Sequence, residues 1–106
     1  MFGDLSEMMT KLKEAQLKIE ETKKRLDTVL INGEAGNGDI KVTVTANGIV
    51  KNISISENLK DKEEIEDYLI IALNKSLQKA SEIRENELAQ AAKNGMPNIP
   101  GLDLLD

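Results

Sequence analysis

With 106 residues, a hydrophobic content of 40% and a charged content of 31%, the chain has the composition of one small globular domain with a strongly solvated surface. Its formal net charge is −5, and it contains neither Cys nor His, which excludes disulfides, thiolate chemistry and imidazole ligands. No stretch approaches the roughly 20 apolar residues that span a bilayer, and the N-terminus has no secretory signal pattern. We therefore expect a cytoplasmic protein without membrane contact, metal, other cofactor or small-molecule substrate, and an enzyme is the least favoured class.

The first predicted helix covers residues 4–28, where apolar residues recur at alternating spacings of three and four. This coiled-coil spacing places them on one narrow face, which suits a second helix better than a broad protein core. A domain of this size also gains stability from burying more apolar surface between subunits. The pattern predicts a homodimer whose interface is an apolar seam formed by Leu5, Met8, Leu12, Ile19 and Leu26.

From residue 29 the apolar period changes from helical to alternating, which predicts strands at 29–35, 39–46 and 49–56. The Asn47-Gly48 pair predicts a two-residue type I′ hairpin, because both residues tolerate positive φ. The glycine-rich segment from Gly33 to Gly38 invites comparison with a phosphate-binding loop, but strands lie on both sides of it, so we interpret it as a hairpin turn. The three strands form an antiparallel meander whose apolar face needs the helices as cover.

The second predicted helix covers residues 61–94 and starts with Asp61 and Glu64, which fit a capping box. Its apolar stripe is wider than the seam of the first helix, which favours packing on the sheet. The predicted fold class is α+β: a helix, a three-stranded antiparallel meander and a long helix. Residues 96–106 contain two prolines and a glycine and are predicted to form a flexible tail.

Acidic residues cluster before and within the start of the second helix, at Glu57, Asp61, Glu63, Glu64, Glu66 and Asp67. A divalent-cation site or a pair of carboxylates for acid/base chemistry is one interpretation of this cluster. However, it lacks the spacing of an EF-hand loop, and carboxylates at a helix start are stabilised by the helix dipole alone. We therefore interpret the cluster as structural and predict neither a metal site nor catalytic residues.

Basic residues concentrate in the first helix, where residues 10–25 contain six basic and three acidic side chains. Such a stripe on a dimeric rod is suited to a DNA backbone, because phosphate contacts are electrostatic and insensitive to base sequence. The alternative is that the lysines are solvated members of i,i+4 pairs with glutamates on the same helix, an interpretation that the overall acidity favours. With only two aromatic residues in the chain, stacking on single strands is disfavoured and duplex DNA is favoured. The candidate DNA contacts are Lys11, Lys18, Lys23, Lys24, Arg25, Lys75, Lys79 and Arg84.

Several short motifs accompany this order of elements: Met1-Phe2-Gly3, Gly33-Glu34-Ala35-Gly36-Asn37-Gly38, Lys41-Val42-Thr43-Val44, Asn47-Gly48 and Gly95-Met96-Pro97. In this combination the chain resembles the YbaB/EbfC family of bacterial nucleoid-associated proteins over nearly its whole length. The resemblance implies one YbaB-like domain over residues 1–95, in an intertwined homodimer whose long helices project and bind duplex DNA without catalysis. It also implies a location in the cytoplasm, at the nucleoid. The family commonly has Asp-Pro after the third strand, where this chain has Ser56-Glu57, a departure that affects a loop.

Two hypotheses of function follow. The first is a nucleoid-associated homodimer that binds duplex DNA mainly through phosphate contacts from the basic faces of its long helices, with a role in nucleoid organisation and gene regulation. The alternative is a non-enzymatic structural or adaptor dimer that binds another protein through its seam, its second helix or its tail.

Overall fold

The computed structural model describes residues 2–95 and, within them, the side chains of residues 4–94. The elements are α1 (Phe2–Leu26), β1 (Leu30–Ala35), β2 (Ile40–Thr45), β3 (Val50–Ile55) and α2 (Lys62–Gly95). The predicted α+β class and element order are confirmed, and element ends differ from the predicted ones by no more than two residues. The predicted tail at 96–106 lies outside the described residues.

Helix α1 ends earlier than predicted because the turn that follows it takes up its last carbonyl groups. The amide of Asp27 donates to the Lys24 carbonyl at 3.2 Å, and the amide of Thr28 donates to the Arg25 carbonyl at 2.9 Å. The Thr28 hydroxyl donates to the same Arg25 carbonyl at 2.6 Å. These i to i−3 bonds tighten the last turn and close the helix, so the chain enters β1 directly.

The sheet is an antiparallel meander in the order β1-β2-β3. A four-residue turn joins Ala35 to Ile40, and its residues Gly36, Asn37 and Gly38 all have positive φ, at 64°, 58° and 89°. Glycine reaches these angles without a steric penalty, and asparagine does so more easily than most residues. The glycine-rich segment therefore forms the predicted hairpin turn.

The second hairpin differs from the predicted type I′ turn. Gly48 has a φ of 87°, but Asn47 is not among the residues with positive φ. The Gly48 amide donates to the Thr45 carbonyl at 2.9 Å, and the Thr45 amide donates to the Ile49 carbonyl at 2.8 Å. This is the three-residue loop in which a left-handed glycine follows the turn, so a single residue with positive φ is enough. The prediction of a type I′ turn was wrong.

A bulge interrupts the pairing of β2 with β3. Thr43 pairs with Asn52, whereas Val44 pairs with Val50, which leaves Lys51 without a partner. One extra residue shifts the side-chain alternation of a strand to the other face. As a result Val50 lies on the inner face of the sheet together with Ile53 and Ile55. Without the bulge, the three-residue spacing from Val50 to Ile53 would place Val50 on the opposite face.

Helix α2 packs on the inner face of β1 and β2 through small side chains. Ala72, Ser76 and Ala80 are almost fully buried at successive helical turns. Gly33 on β1 allows this approach, since an added Cβ there would lie 2.5 Å from the Ala72 carbonyl oxygen. The Ser76 hydroxyl donates to the Leu73 carbonyl at 2.9 Å, so its burial leaves no polar group unpaired. The core around this contact contains Leu26, Ile31, Ala35, Ile40, Val42, Val44, Ala46, Ala72 and Ala80.

Strand β3 is not covered, and the expectation that the helices shield the whole sheet was wrong. All six residues of β3 are exposed, including Ile53 and Ile55, which lie opposite the buried Val42 and Ile40 of β2. A helix is about 10 Å wide and strands lie about 4.8 Å apart, so one helix covers two strands. Helix α1 does not supply the missing cover because it packs mainly against α2.

The two helices form an antiparallel pair that extends beyond the sheet. Arg25 near the end of α1 contacts Glu87 of α2, and Lys18 lines the same groove as Asn94. The described molecule measures 71 × 26 × 15 Å, so it is a rod rather than a sphere. We refer to residues 4–26 of α1 together with residues 84–94 of α2 as the helical arm.

Candidate nucleic-acid interface

The structure places most of the predicted DNA contacts on the helical arm. Lys75 lies elsewhere: its ammonium group reaches the Glu34 carbonyl of β1 at 3.4 Å, over the sheet. Lys79 lies one helical turn after Lys75 on α2, so it is also outside the arm. The predicted contacts that the arm brings together are Lys11, Lys18, Lys23, Lys24, Arg25 and Arg84.

The predicted i,i+4 ion pairs of α1 are not formed in the described part of the chain. Lys23 instead lies 3.8 Å from the Glu20 carboxylate, an i,i+3 pair in which both side chains are about half exposed or more. Three candidate lysines, Lys11, Lys18 and Lys24, have no acidic partner among the described side chains. This arrangement counts against the alternative interpretation, in which glutamates of the same helix neutralise the basic residues of α1.

Arg25 is the candidate contact that is most strongly engaged within the chain. Its Nη2 lies 2.7 Å from Oε2 of Glu87, so the pair joins α1 to α2 where the arm leaves the sheet. Both side chains are about half exposed, and an ion pair in water contributes at most about 1 kcal/mol. Because Glu87 neutralises part of its charge, Arg25 is a weaker candidate for phosphate contact than its neighbours.

A polar cleft of about 560 Å³ lies where the end of α1, the β2–β3 hairpin and α2 meet. We refer to it as the hairpin cleft. It contains three of the predicted basic residues together with two carboxylates, and its lining residues are Glu20, Lys23, Lys24, Asp27, Ala46, Asn47, Gly48, Leu77, Ser81 and Arg84.

Asn47 connects all three walls of the hairpin cleft. Its side-chain amide Nδ2 donates to the Lys23 carbonyl at 2.9 Å and to Asp27 Oδ1 at 2.6 Å, both at the end of α1. Its Oδ1 accepts a hydrogen bond from Nε of Arg84 on α2 at 3.3 Å. The sequence predicts Asn47 only as a turn residue, because no local pattern indicates that its side chain bridges two helices that are distant in the sequence.

The acidic cluster lies at the other end of the fold. Tyr68, in the first part of α2, lies against Gly36 of the first turn, since an added Cβ at Gly36 would be 2.9 Å from Tyr68 Cδ2. That turn and the β2–β3 hairpin close opposite ends of the meander. At 1.5 Å per residue, the 21 residues from Glu63 to Arg84 span about 32 Å. The cluster is therefore far from the hairpin cleft and from the arm.

Asp61 caps the start of α2, but the predicted capping box with Glu64 is not formed among the described side chains, because the bond goes to the Glu63 amide and Glu64 makes no return bond. Oδ1 of Asp61 accepts the Glu63 amide at 2.9 Å, which satisfies one of the free N–H groups at the helix start. Among the side chains of residues 4–94, no group of three or more acidic residues is arranged to hold a metal ion.

Exposed apolar residues form a surface on α1, in the segment that precedes Ala15. Leu5, Met8 and Leu12 of the predicted seam are 61%, 50% and 44% exposed, and Ile19 is half-buried. Leu26 differs from the other seam residues because it is fully buried in the core of its own chain, where α1 meets α2 and the sheet. Its assignment to an interface between subunits is therefore corrected.

A second exposed apolar surface, missed by sequence analysis, lies on β3 and the adjacent flank of α2. Ile53 and Ile55 are 42% and 43% exposed on the inner face of the sheet. Ile70 is 57% exposed and precedes Leu77 by two helical turns, and Leu77 lies beside Gly48 of the β2–β3 hairpin. Ile70 therefore faces the β3 side of α2. The alternation of apolar residues in β3 requires cover by some apolar surface, and that surface need not be a helix of the same chain.

Comparison with known proteins gives the family. The model of the YbaB/EbfC DNA-binding family matches residues 1–96. A "Nucleoid-associated protein" of Flavobacterium johnsoniae is 56% identical over 103 residues, which covers 96% of this chain and 97% of the relative. A nucleoid-associated protein of Psychrobacter is 39% identical, with 85% of this chain and 83% of the relative covered. One of Chlorobium phaeobacteroides is 35% identical, with 96% and 90% covered.

A solved structure shares the fold. The crystal structure of an uncharacterized protein of Helicobacter pylori superimposes with a TM-score of 0.70 at 22% identity, covering 74% of this chain and 86% of that one. Neither helix, within the described residues, is long and apolar enough to cross a membrane. The matching family is a DNA-binding family and not a family of enzymes. By the extent of the family match and the identity to these relatives, this chain belongs to the YbaB/EbfC DNA-binding family.

Proposed function

We propose that this protein is a nucleoid-associated homodimer that binds duplex DNA through contacts between the phosphate backbone and the basic residues of its helical arm. The observation that carries the proposal is that three lysines of α1 form no ion pair within residues 4–94, while the densest acidic cluster lies at the other end of the fold. Lys11, Lys18 and Lys24 have no acidic partner among the described side chains, and the acidic cluster lies about 30 Å from the hairpin cleft. The arm can therefore approach a polyanion while the acidic end points away, despite the net charge of −5.

The spacing of the basic residues supports backbone contacts rather than base readout. Lys11, Lys18 and Arg25 follow one another at seven-residue intervals, so they lie along one side of α1 about 10 Å apart. A flexible lysine on a rod of this kind acts as a point charge for phosphate oxygens. The protein would bind many sequences with comparable affinity, as a role in nucleoid organisation and gene regulation in the bacterial cytoplasm requires.

The homodimer is supported by the apolar surfaces that a single chain leaves in water. The α1 surface of Leu5, Met8 and Leu12 and the β3 surface of Ile53, Ile55 and Ile70 are both exposed, and patches of this kind on a small protein mark interaction sites. A two-fold dimer buries the same surface of each subunit, which doubles the number of basic arms that one particle presents to DNA. Ile19, half-buried on the same seam, completes the proposed α1 interface.

A band-shift titration on a duplex of mixed sequence tests the proposal. Affinity should fall steeply as NaCl is raised, because each phosphate contact releases a counterion, and it should change little with DNA sequence. Absence of binding by micromolar protein at roughly 50 mM salt, where the electrostatic contribution is strong, would reject the proposal.

The alternative is a structural or adaptor dimer that binds another protein, and the uncovered β3 surface is the observation in its favour. An apolar strand at the edge of a sheet is a ready site for a partner. Recovery of a stoichiometric protein partner after nuclease treatment, together with no binding of duplex DNA, would favour this alternative.

A further inference from the structure

The lining of the hairpin cleft carries three cations and two carboxylates, a net charge of +1, and two of the cations form no ion pair with a described side chain. Glu20 is engaged by Lys23 at 3.8 Å, and Asp27 accepts the Asn47 amide at 2.6 Å. Lys24 and Arg84 remain without an acidic partner among the described side chains. Both side chains line the same cleft, so an anion that enters it meets two cations that form no ion pair within residues 4–94.

Asn47 determines which edge of Arg84 is available to that anion. A guanidinium group has five N–H donors, and Nε of Arg84 is used by Asn47 Oδ1 at 3.3 Å. The four donors on its two Nη atoms remain, and their planar fork matches two oxygens of a phosphate. The Ser81 hydroxyl is a further donor in the lining, held only by a 3.5 Å contact with Glu85.

The same asparagine reduces a repulsion that would otherwise oppose an anion here. The C-terminus of a helix carries partial negative charge on its unpaired carbonyl groups. At the end of α1 the Lys23 carbonyl accepts the Asn47 amide at 2.9 Å, and the Arg25 carbonyl accepts the Thr28 hydroxyl at 2.6 Å. With these carbonyl groups paired, the field of the cleft is set by the charged side chains of its lining, which carry three positive and two negative charges.

We propose that the hairpin cleft binds one phosphate group between Lys24 and Arg84, and that Asn47 is a positioning residue which orients Arg84 for it. The inference rests on the proposed function in one respect: in the DNA complex, this phosphate is a backbone phosphate of the duplex. It assigns the junction of α1, the β2–β3 hairpin and α2 as a fixed contact point, whereas the remaining lysines of the arm make interchangeable contacts.

The direct test is a titration of the full chain with inorganic phosphate, followed by NMR at constant ionic strength. The expected result is a saturable shift of the Asn47 side-chain amide, the Gly48 amide and the Arg84 Nε–H signal, with no such shift for chloride. Arg84→Gln should abolish the saturation. The matched control Lys62→Gln, which removes one positive charge at the acidic end of α2, should leave it intact. Equal responses of Arg84→Gln and wild type would overturn the proposal.

The positioning role of Asn47 is tested separately from its role in the hairpin. In Asn47→Ala the saturable shift at Arg84 should be lost while the amide signals of β1 and α2 stay in place. If Asn47→Ala does not fold, Arg84→Lys provides the test, since it keeps the charge but loses the planar fork and the Nε bond, and it should bind phosphate more weakly than wild type. Wild-type phosphate binding by a folded variant of either kind would reject the positioning role.

A second set of measurements uses duplex DNA and separates the two proposals. Arg84→Gln should make the dependence of log K on log salt shallower by about 1 and lower the affinity at 50 mM salt roughly tenfold, whereas Lys62→Gln should change neither. DNA binding with an unchanged slope in Arg84→Gln would reject the cleft and leave the proposed function standing. A saturable phosphate response without any DNA binding would support the cleft and reject the proposed function.

Discussion

Arg25 and Glu87, which are 62 residues apart in the sequence, meet at 2.7 Å and join the two helices at the base of the arm. The contact sets a competition, because a phosphate and the Glu87 carboxylate would use the same guanidinium donors. The pair is half exposed, so it contributes little to stability and can be exchanged for a phosphate at small cost.

Glu87→Gln is therefore expected to raise DNA affinity by several-fold at low salt while it changes the free energy of unfolding by less than about 1 kcal/mol. Band shifts and urea unfolding measure the two quantities. Glu85→Gln is the matched control, because it removes the same charge from the same helix without touching Arg25. Equal gains in affinity for the two variants would mean that net charge, and not release of Arg25, is responsible.

A cluster variant tests the basic arm. Replacement of Lys18, Lys23, Lys24 and Arg25 by Gln together should weaken binding strongly and make the salt dependence shallower by up to about 4 units, because each lost phosphate contact removes roughly one. Sedimentation should show the wild-type oligomeric state. A control with the same charge change carries Gln at four basic residues away from the arm: Lys41, Lys51, Lys60 and Lys62. Unchanged affinity of the arm variant would remove these residues from the interface.

The β3 surface has a test that uses neighbouring residues on opposite faces of one strand. Ile53→Glu places a charge on the exposed apolar inner face and should dissociate the homodimer, since an unpaired charge in an apolar interface is costly. Ser54→Glu, on the outer face opposite Lys41, should leave the dimer unchanged. Analytical ultracentrifugation distinguishes the two. A wild-type chain that stays monomeric at high concentration would contradict the homodimer itself.

The close approach of α2 to β1 leads to a prediction about stability. Gly33→Ala would place a Cβ 2.5 Å from the Ala72 carbonyl oxygen and 2.9 Å from Ser76 Cβ, so the helix must move away from the sheet. Overpacking of this kind typically costs about 1–3 kcal/mol, measured by urea unfolding. Gly48→Ala is the comparison: its nearest neighbour would be 4.0 Å away, but its φ of 87° is strained for alanine. We expect the Gly33 variant to be the less stable one, and the reverse order would contradict the tight helix–sheet contact.

Local patterns were sufficient to predict the elements of this protein. A period near 3.6 requires a helix, alternation requires a strand, and the glycines at Gly36 and Gly38 permit backbone angles that most residues avoid. The order of elements and the antiparallel meander follow, because short turns between strands leave no room for another connection. The register of β3 does not follow from its own residue pattern, because the bulge at Lys51 depends on the pairing of β3 with β2.

What only the tertiary structure decided was which members of each pattern are covered and which polar groups meet. Leu5 and Leu26 belong to one seam, which only Thr22 interrupts, yet one is 61% exposed and the other is fully buried, since the sheet and the main contact with α2 lie near the C-terminal end of α1. Asn47 is a turn residue in the sequence and a bridge between Asp27 and Arg84 in the fold. Periodicity is a property of a few neighbouring residues, whereas burial and long-range hydrogen bonds depend on where whole elements cross. The sequence therefore determined the helices, strands and charge distribution, and the crossing of α1, α2 and the β2–β3 hairpin determined the cleft.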